Sequence, residues 1–220
     1  MLEINEQYFD NINSREKAYF LGLLCADGSI SKRLYRKQFY YEVSLSSSLK
    51  DREIVDSFAK ATGTHTRIKV YKDTRPGKST YKTAIAEIKR KHTTETLIKI
   101  FKGSYKKDRQ MPDIPLSLYP DFIRGYFDGD GSLSLSNNYW ELAISGNKQI
   151  LERILQYFGF NNSIHPDKTT FRIRLRAKDD ISKFLDTIYA DTNAPFLNRK
   201  YEKAKMFFAS RKKSGKNGEG

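Results

Sequence analysis

The chain has 220 residues, 38% of them hydrophobic and 13% aromatic, enough for one large core or two small ones and inconsistent with global disorder. Forty Lys and Arg against 26 Asp and Glu leave a net charge of +14, which favours a polyanionic partner, nucleic acid ahead of a membrane surface. A single cysteine, Cys25, and three scattered histidines exclude a disulfide framework and a Cys/His-rich zinc site. No apolar run reaches the ~20 residues of a membrane span, and Met1-Leu-Glu-Ile-Asn-Glu is not a secretory signal. A soluble intracellular protein is expected.

A first helix is predicted to open at Asn13 or Ser14, either of which can cap it, and to stop at Gly28. Alternating segments at 29–35 and 39–48 follow, joined by the basic turn Arg36-Lys37-Gln38. Residues 50–62 have helical spacing, with Ile54, Val55, Phe58 and Ala59 on one face. A second hairpin turns through Arg75-Pro76-Gly77-Lys78, and a helix over 93–101 closes the unit, giving the order αββαββα. Residues 104–118 carry Pro112 and Pro115 and no period, as a linker would. The order then repeats: a helix with Pro120 near its start, strands at 132–136 and 139–145, a helix over 147–158, strands near 162–166 and 170–176, and a helix over 180–189. The spans predicted are 1–103 for the first repeat, 104–118 for the linker and 119–210 for the second repeat. A last amphipathic helix and a frayed basic tail, 211–220, complete the chain.

The first helix of each copy ends alike. Phe20-Leu-Gly-Leu-Leu-Cys-Ala-Asp-Gly28-Ser and Ile123-Arg-Gly-Tyr-Phe-Asp-Gly-Asp-Gly131-Ser both place small residues four apart, Gly22 with Ala26 and Gly125 with Gly129. Glycine inside a helix costs roughly 1 kcal/mol against alanine, so the spacing needs a reason. Small residues at i and i+4 flatten one face and let another backbone approach. Two such faces, packed about a pseudo-twofold axis, would bring Asp27 and Asp130 out at one end. Each acid then lies at a helix C-terminus, where negative charge is disfavoured, and the pair repel each other. Divalent cations would remove both penalties, and such a site beside nucleic acid is suited to metal-assisted phosphodiester hydrolysis.

These two motifs, with the doubled αββαββα order and basic hairpins, resemble the LAGLIDADG homing endonucleases of the single-chain, two-motif kind over residues 4 to 208. The resemblance implies an α+β fold of two pseudo-symmetric repeats whose antiparallel sheets form a DNA-binding saddle, with the paired motif helices at the interface. It implies a monomer, free-standing or intron-encoded, that uses Mg²⁺ or another divalent cation to cut both strands of a long, mostly non-palindromic site in double-stranded DNA. Short 3′ overhangs result. Carried over by position, Asp27 and Asp130 are the metal-binding catalytic acids, with the carbonyls of Ala26 and Gly129 beside them. Cys25 departs from the pattern where the second copy has Asp128, at a position that is not a metal ligand in the family. The family's basic residue near the end of the last strand matches Lys91 and Lys178, with Lys89 and Arg176 one strand-step earlier. Its polar residue after the second strand is nearest to Ser47 or Ser48, and to Ser145-Gly146.

Period-two alternation puts Arg67 and Lys69 on one sheet face with Ile68 and Val70 on the other, and separates Arg172, Arg174 and Arg176 from Ile173 and Leu175 in the same way. With Lys32, Arg33, Arg36, Lys37, Arg75 and Lys78 near the turns, these residues form the expected DNA surface. Ser132, Ser134, Ser136 and Asn137 are neutral, so unequal grip on the two half-sites is expected. An EF-hand starting at Asp128 is rejected, because Leu133 and Tyr139 stand where glycine and glutamate are needed. Asp73 with Glu87-Ile-Lys89 mimics a degenerate nuclease pattern that the second copy lacks. The alternative function is a non-cleaving nucleic-acid binder on this fold, a transcription regulator or an intron RNA maturase.

Overall fold

The computed structural model describes residues 3–72 and 80–216. Ser14 caps α1 (Arg15–Asp27), its hydroxyl accepting the Lys17 amide at 3.3 Å. Then come β1 (Ser29–Tyr35), β2 (Gln38–Ser48), α2 (Arg52–Thr62), β3 (Thr66–Tyr71), β4 (Tyr81–Ile88) and α3 (Lys91–Phe101). The second set is α4 (Tyr119–Asp130), β5 (Gly131–Ser136), β6 (Tyr139–Gly146), α5 (Lys148–Phe158), β7 (His165–Asp167), β8 (Thr170–Leu175) and α6 (Lys178–Ile188), followed by α7 (Asn198–Lys216). Each set holds one antiparallel four-stranded sheet, in the orders β1-β2-β4-β3 and β5-β6-β8-β7. The doubled order expected from sequence is therefore the observed α+β architecture.

The two sheets are joined through α1 and α4. Residues 18–26 of α1 are buried without a break, which is why this helix shows no polar face. A Cβ on Gly22 would overlap the carbonyl of Phe122, and one on Gly125 the carbonyl of Tyr19. The two backbones touch at equivalent points, as the four-residue spacing of small side chains predicts. Gly28 and Gly131 differ from the expected helix stop: both have ordinary extended backbone (φ −69° and −93°). They are needed because a Cβ would meet Leu24 or Phe127.

Several boundaries move. α3 and α6 start at Lys91 and Lys178, two residues earlier than predicted, so these lysines open helices instead of ending strands. β7 is cut to three residues around Pro166, which cannot donate to a ladder. Ile68 and Val70, expected against the helices, stay 43% and 53% exposed, because β3 is the sheet edge. Ile173 and Leu175 are buried as expected. α7 continues to Lys216, past the predicted fraying point. Arg211 ties it to α6 through a 2.8 Å ion pair with Asp179. Among the described residues, no helix is long and apolar enough to cross a membrane.

Candidate active site

Asp27 and Asp130 emerge together at the C-terminal ends of α1 and α4. A single ammonium spans them: Lys106 Nζ lies 2.8 Å from Asp130 Oδ1 and 3.7 Å from Asp27 Oδ1. The aspartates differ in setting, Asp27 being 46% exposed and Asp130 16%. Burial raises the Asp130 pKa and the hydrogen bond from Lys106 opposes that rise. Asp130 Oδ2 is buried with no hydrogen-bond partner among the described residues. Gly129 keeps the acids close, because a Cβ there would overlap Ala26 Cβ and stand 3.4 Å from the Asp27 carboxylate.

Two buried cations hold the helix ends at equivalent positions. Arg109 donates to the carbonyls of Leu24 (2.7 Å) and Cys25 (3.1 Å). Lys200 donates to those of Phe127 (2.5 Å), Asp128 (2.7 Å) and Gly131 (2.6 Å). The last carbonyls of a helix lack intrahelical partners and carry negative partial charge, so each cation offsets the field that would otherwise expel an acid from that end. Burial pulls the Lys200 pKa down to about 8, against the attraction of Asp128. Sequence reading missed Lys106, Arg109 and Lys200 because all lie outside the αββαββα units. The signal available was basic residues soon after the last helix of each copy.

The Cys25/Asp128 difference acquires a structural meaning. Asp128 Oδ2 accepts hydrogen bonds from Tyr19 Oη and the Leu197 amide, both at 2.8 Å, and so ties α4 to α1 and to the segment before α7. Cys25 is buried, its thiol pushed up to about 12 by desolvation. Burial likewise raises the Asp128 pKa from its ordinary 3.8 to about 6. A carboxyl raised in the folded state contributes most stability below about pH 4 and loses that contribution as pH rises through 6. Relative to Asp128→Asn, the wild type should therefore lose on the order of 2–3 kcal/mol between pH 4 and 6. Paired thermal melts across that range read the difference; parallel pH profiles would refute it.

A cavity of about 380 Å³ opens beside Asp27, lined by Ser47, Ser48, Asp51, Asp128 and Arg199 among others. Arg199, from α7, donates to both oxygens of Asp51 at 2.9 and 3.0 Å. The expected Ser47 and Ser48 thus lie at the site's edge. Among the described residues, the ion pairs to Asp27 and Asp130 come from Lys106 and not from Lys91 or Lys178. Lys89 is turned to Glu87 (3.2 Å) and Glu42 (3.9 Å), and Arg176 to Glu141 (2.8 Å).

Strand pairing sorts the basic residues by face. Arg67 and Lys69 share the face away from the helices, where Arg67 pairs with Glu87 and Lys69 lies over Tyr71. Arg172, Arg174 and Arg176 occupy that face of the second sheet and are held by Asp167 and Glu141. Arg33 also faces away from the helices. Lys32 does not: it shares the parity of buried Ile30 and bonds Glu95 of α3 at 2.8 Å, which corrects its placement on the DNA surface. Arg36 and Lys37 form the β1–β2 turn with φ of 48° and 64°, where the second copy uses Asn137 and Asn138. Arg75 and Lys78 lie outside the described residues.

Residues 16–75 match the WhiA LAGLIDADG-like domain and residues 118–189 match the LAGLIDADG-like domain. With both motifs on one polypeptide and their helices paired at the centre, the chain belongs to the LAGLIDADG family, as a single-chain, two-motif member. Its fold is that of solved LAGLIDADG meganucleases. I-AabMI bound to uncleaved DNA aligns with TM-score 0.61 at 10% identity, covering 93% of this chain and 92% of the other. I-SmaMI bound to uncleaved DNA in the presence of calcium ions gives 0.58 at 15%, covering 90% and 92%. Mesophilic variants of the homing endonuclease I-DmoI give 0.57 at 19%, covering 83% and 93%. No curated protein matches the chain by sequence.

Proposed function

We propose that the protein is a site-specific DNA endonuclease making a divalent-cation-dependent double-strand cut in a long, mostly non-palindromic site, with short 3′ overhangs. It acts as a monomer whose two repeats, 1–103 and 119–210, each supply half of the site. The observation that carries this reading is the convergence of Asp27 and Asp130 on one ammonium at the interface of the paired helices. A protein that only binds DNA gains nothing from two carboxylates facing a phosphate backbone.

The residues suit a hard cation. The two carboxylates, with Asp130 Oδ2 buried and unpartnered among the described residues, and the carbonyls of Ala26 and Gly129 make an all-oxygen donor set. Among the described residues, no three or more His, Cys, Asp or Glu converge, so Asp27 and Asp130 would be the side chains that hold the cation. Bound Mg²⁺ supplies charge to the scissile phosphate and acidifies water. Arg199, across the cavity at Asp27, stabilises the negative charge that grows on phosphate. Arg109 and Lys200 fix the helix ends that carry the acids. Lys91 and Lys178, expected to serve the chemistry, are assigned to phosphate contacts. Arg33, Arg67, Lys69, Arg172, Arg174 and Arg176 face the duplex, with Arg36 and Lys37 at the β1–β2 turn; Arg75 and Lys78, outside the described residues, are assigned to the same role.

Arg36 and Lys37 make this assignment testable. A two-residue hairpin turn with both φ positive favours Asn-Gly, so the wild-type turn gives up stability to place two cations at the ribbon tip. Arg36→Asn with Lys37→Gly should raise the melting temperature while weakening DNA binding about equally for all sequences. The slope of log K against log salt should fall by about two. Fluorescence anisotropy at several salt concentrations measures it, and an unchanged slope would remove both residues from the interface.

A second reading rests on the WhiA LAGLIDADG-like match over residues 16–75: a non-cleaving DNA binder on the same fold. Incubating the protein with a randomised duplex library and Mg²⁺, then sequencing the ends, separates the two. Cuts with a fixed stagger support the endonuclease; selective retention without cuts supports the binder.

A further inference from the structure

Lys106 belongs to two surroundings at once. On one side its ammonium spans Asp27 and Asp130, at 3.7 and 2.8 Å. On the other, the side chain lines a cavity of about 430 Å³ with Lys107, Lys148, Asn147 and Thr170. Three lysines thus line one concavity whose described lining contains no carboxylate side chain, although Lys148 meets Glu152 beyond that lining at 3.7 Å. Lysines dominate this concavity, while the acid pair depends on one of those same lysines. Lys106 is 45% exposed, so it has room to change partners.

An ammonium and a divalent cation cannot share the acids, because like charges at contact distance repel strongly in this partly desolvated setting. Resting on the reading of the acids as the metal site, we infer that Lys106 is an exchangeable counter-ion. In the DNA-free protein it holds the two carboxylates; a DNA backbone phosphate seated among Lys106, Lys107 and Lys148 draws it away and opens the acids to the divalent cation. The lysine cavity is therefore a phosphodiester site coupled to the metal site, and coupling of this kind is reciprocal: phosphate strengthens metal binding and metal strengthens phosphate binding. The protein would then be loaded with metal chiefly on DNA.

The test is Mn²⁺ binding by the full chain, read from the free-ion electron paramagnetic resonance signal, which is independent of cutting. Without DNA, Lys106→Met and Lys106→Gln should bind Mn²⁺ at least about tenfold more tightly than wild type. A random-sequence duplex, corrected for Mn²⁺ bound by the duplex alone, should tighten wild-type binding. It should do so far less in Lys107→Met/Lys148→Met. Equal affinity of wild type and both Lys106 variants would overturn the exchange. If Asp27→Asn/Asp130→Asn still abolishes binding, the acids keep their role as the metal site. Absence of Mn²⁺ binding in wild type and variants, with and without DNA, would overturn both this coupling and the metal-site reading.

Discussion

Asp27→Asn and Asp130→Asn should each abolish double-strand cutting while leaving DNA binding intact or tighter. Asparagine keeps the shape of the carboxylate and removes the charge that holds a divalent cation, so cutting should fall about a thousandfold or more. Binding has the opposite dependence, because a carboxylate facing phosphate repels it. Stability should separate the variants from simple misfolding. Asp130 is held with its pKa raised by burial, so a neutral amide removes a desolvation cost. The half-exposed Lys106 can meanwhile return to water. The melting temperature of Asp130→Asn should therefore hold or rise. Gel assays of cutting and anisotropy of binding on a target recovered from the library give both quantities. Full cutting by either variant would remove that aspartate from the chemistry.

The second large effect concerns the paired helices. Gly22→Ala and Gly125→Ala should each destabilise the protein, although alanine is the better helix former by about 1 kcal/mol. The added methyl would meet the backbone carbonyl of Phe122 or Tyr19, and a backbone in a packed helix cannot rotate aside as a side chain can. Overpacking of about 3 kcal/mol is expected, lowering the melting temperature by about 6–12 °C for a chain of this size. Gly129→Ala should behave differently. Its methyl would press on Ala26 and approach the Asp27 carboxylate, so cutting should fall more than stability. Equal melting temperatures for wild type, Gly22→Ala and Gly125→Ala would mean that the helices do not meet as closely as described.

Much of this protein can be read locally. Element order follows from periodicity, and the helix interface follows from glycines at a spacing that helix propensity alone disfavours. The paired acids are visible because each sits at a helix end where charge is unfavourable. Arg67 with Lys69, and Arg172 and Arg174 of β8 with Arg176 just past its end, fall on the predicted face because side chains alternate along an extended chain whatever its surroundings. Lys32 departs from the DNA surface by the same rule: it lies near the turn, but its parity matches Ile30 and its ammonium meets Glu95.

What escaped sequence reading is whatever depends on distant segments meeting. Lys91 and Lys178 matched across the repeat because both follow a last strand, yet each opens a helix. The cations at the acid pair and helix ends come instead from the linker and from α7, as Lys106, Arg109 and Lys200. Neither segment lies within the αββαββα order that recurs, so comparing one copy with the other could not find them. The sequence by itself determined the two copies, their small-residue helix faces and the charge they carry, because helix spacing, strand alternation and net charge are properties of neighbours along the chain. Only the tertiary structure decided which cations hold Asp27 and Asp130, because a counter-ion is chosen by distance in space and by burial, and neither is written at any one position.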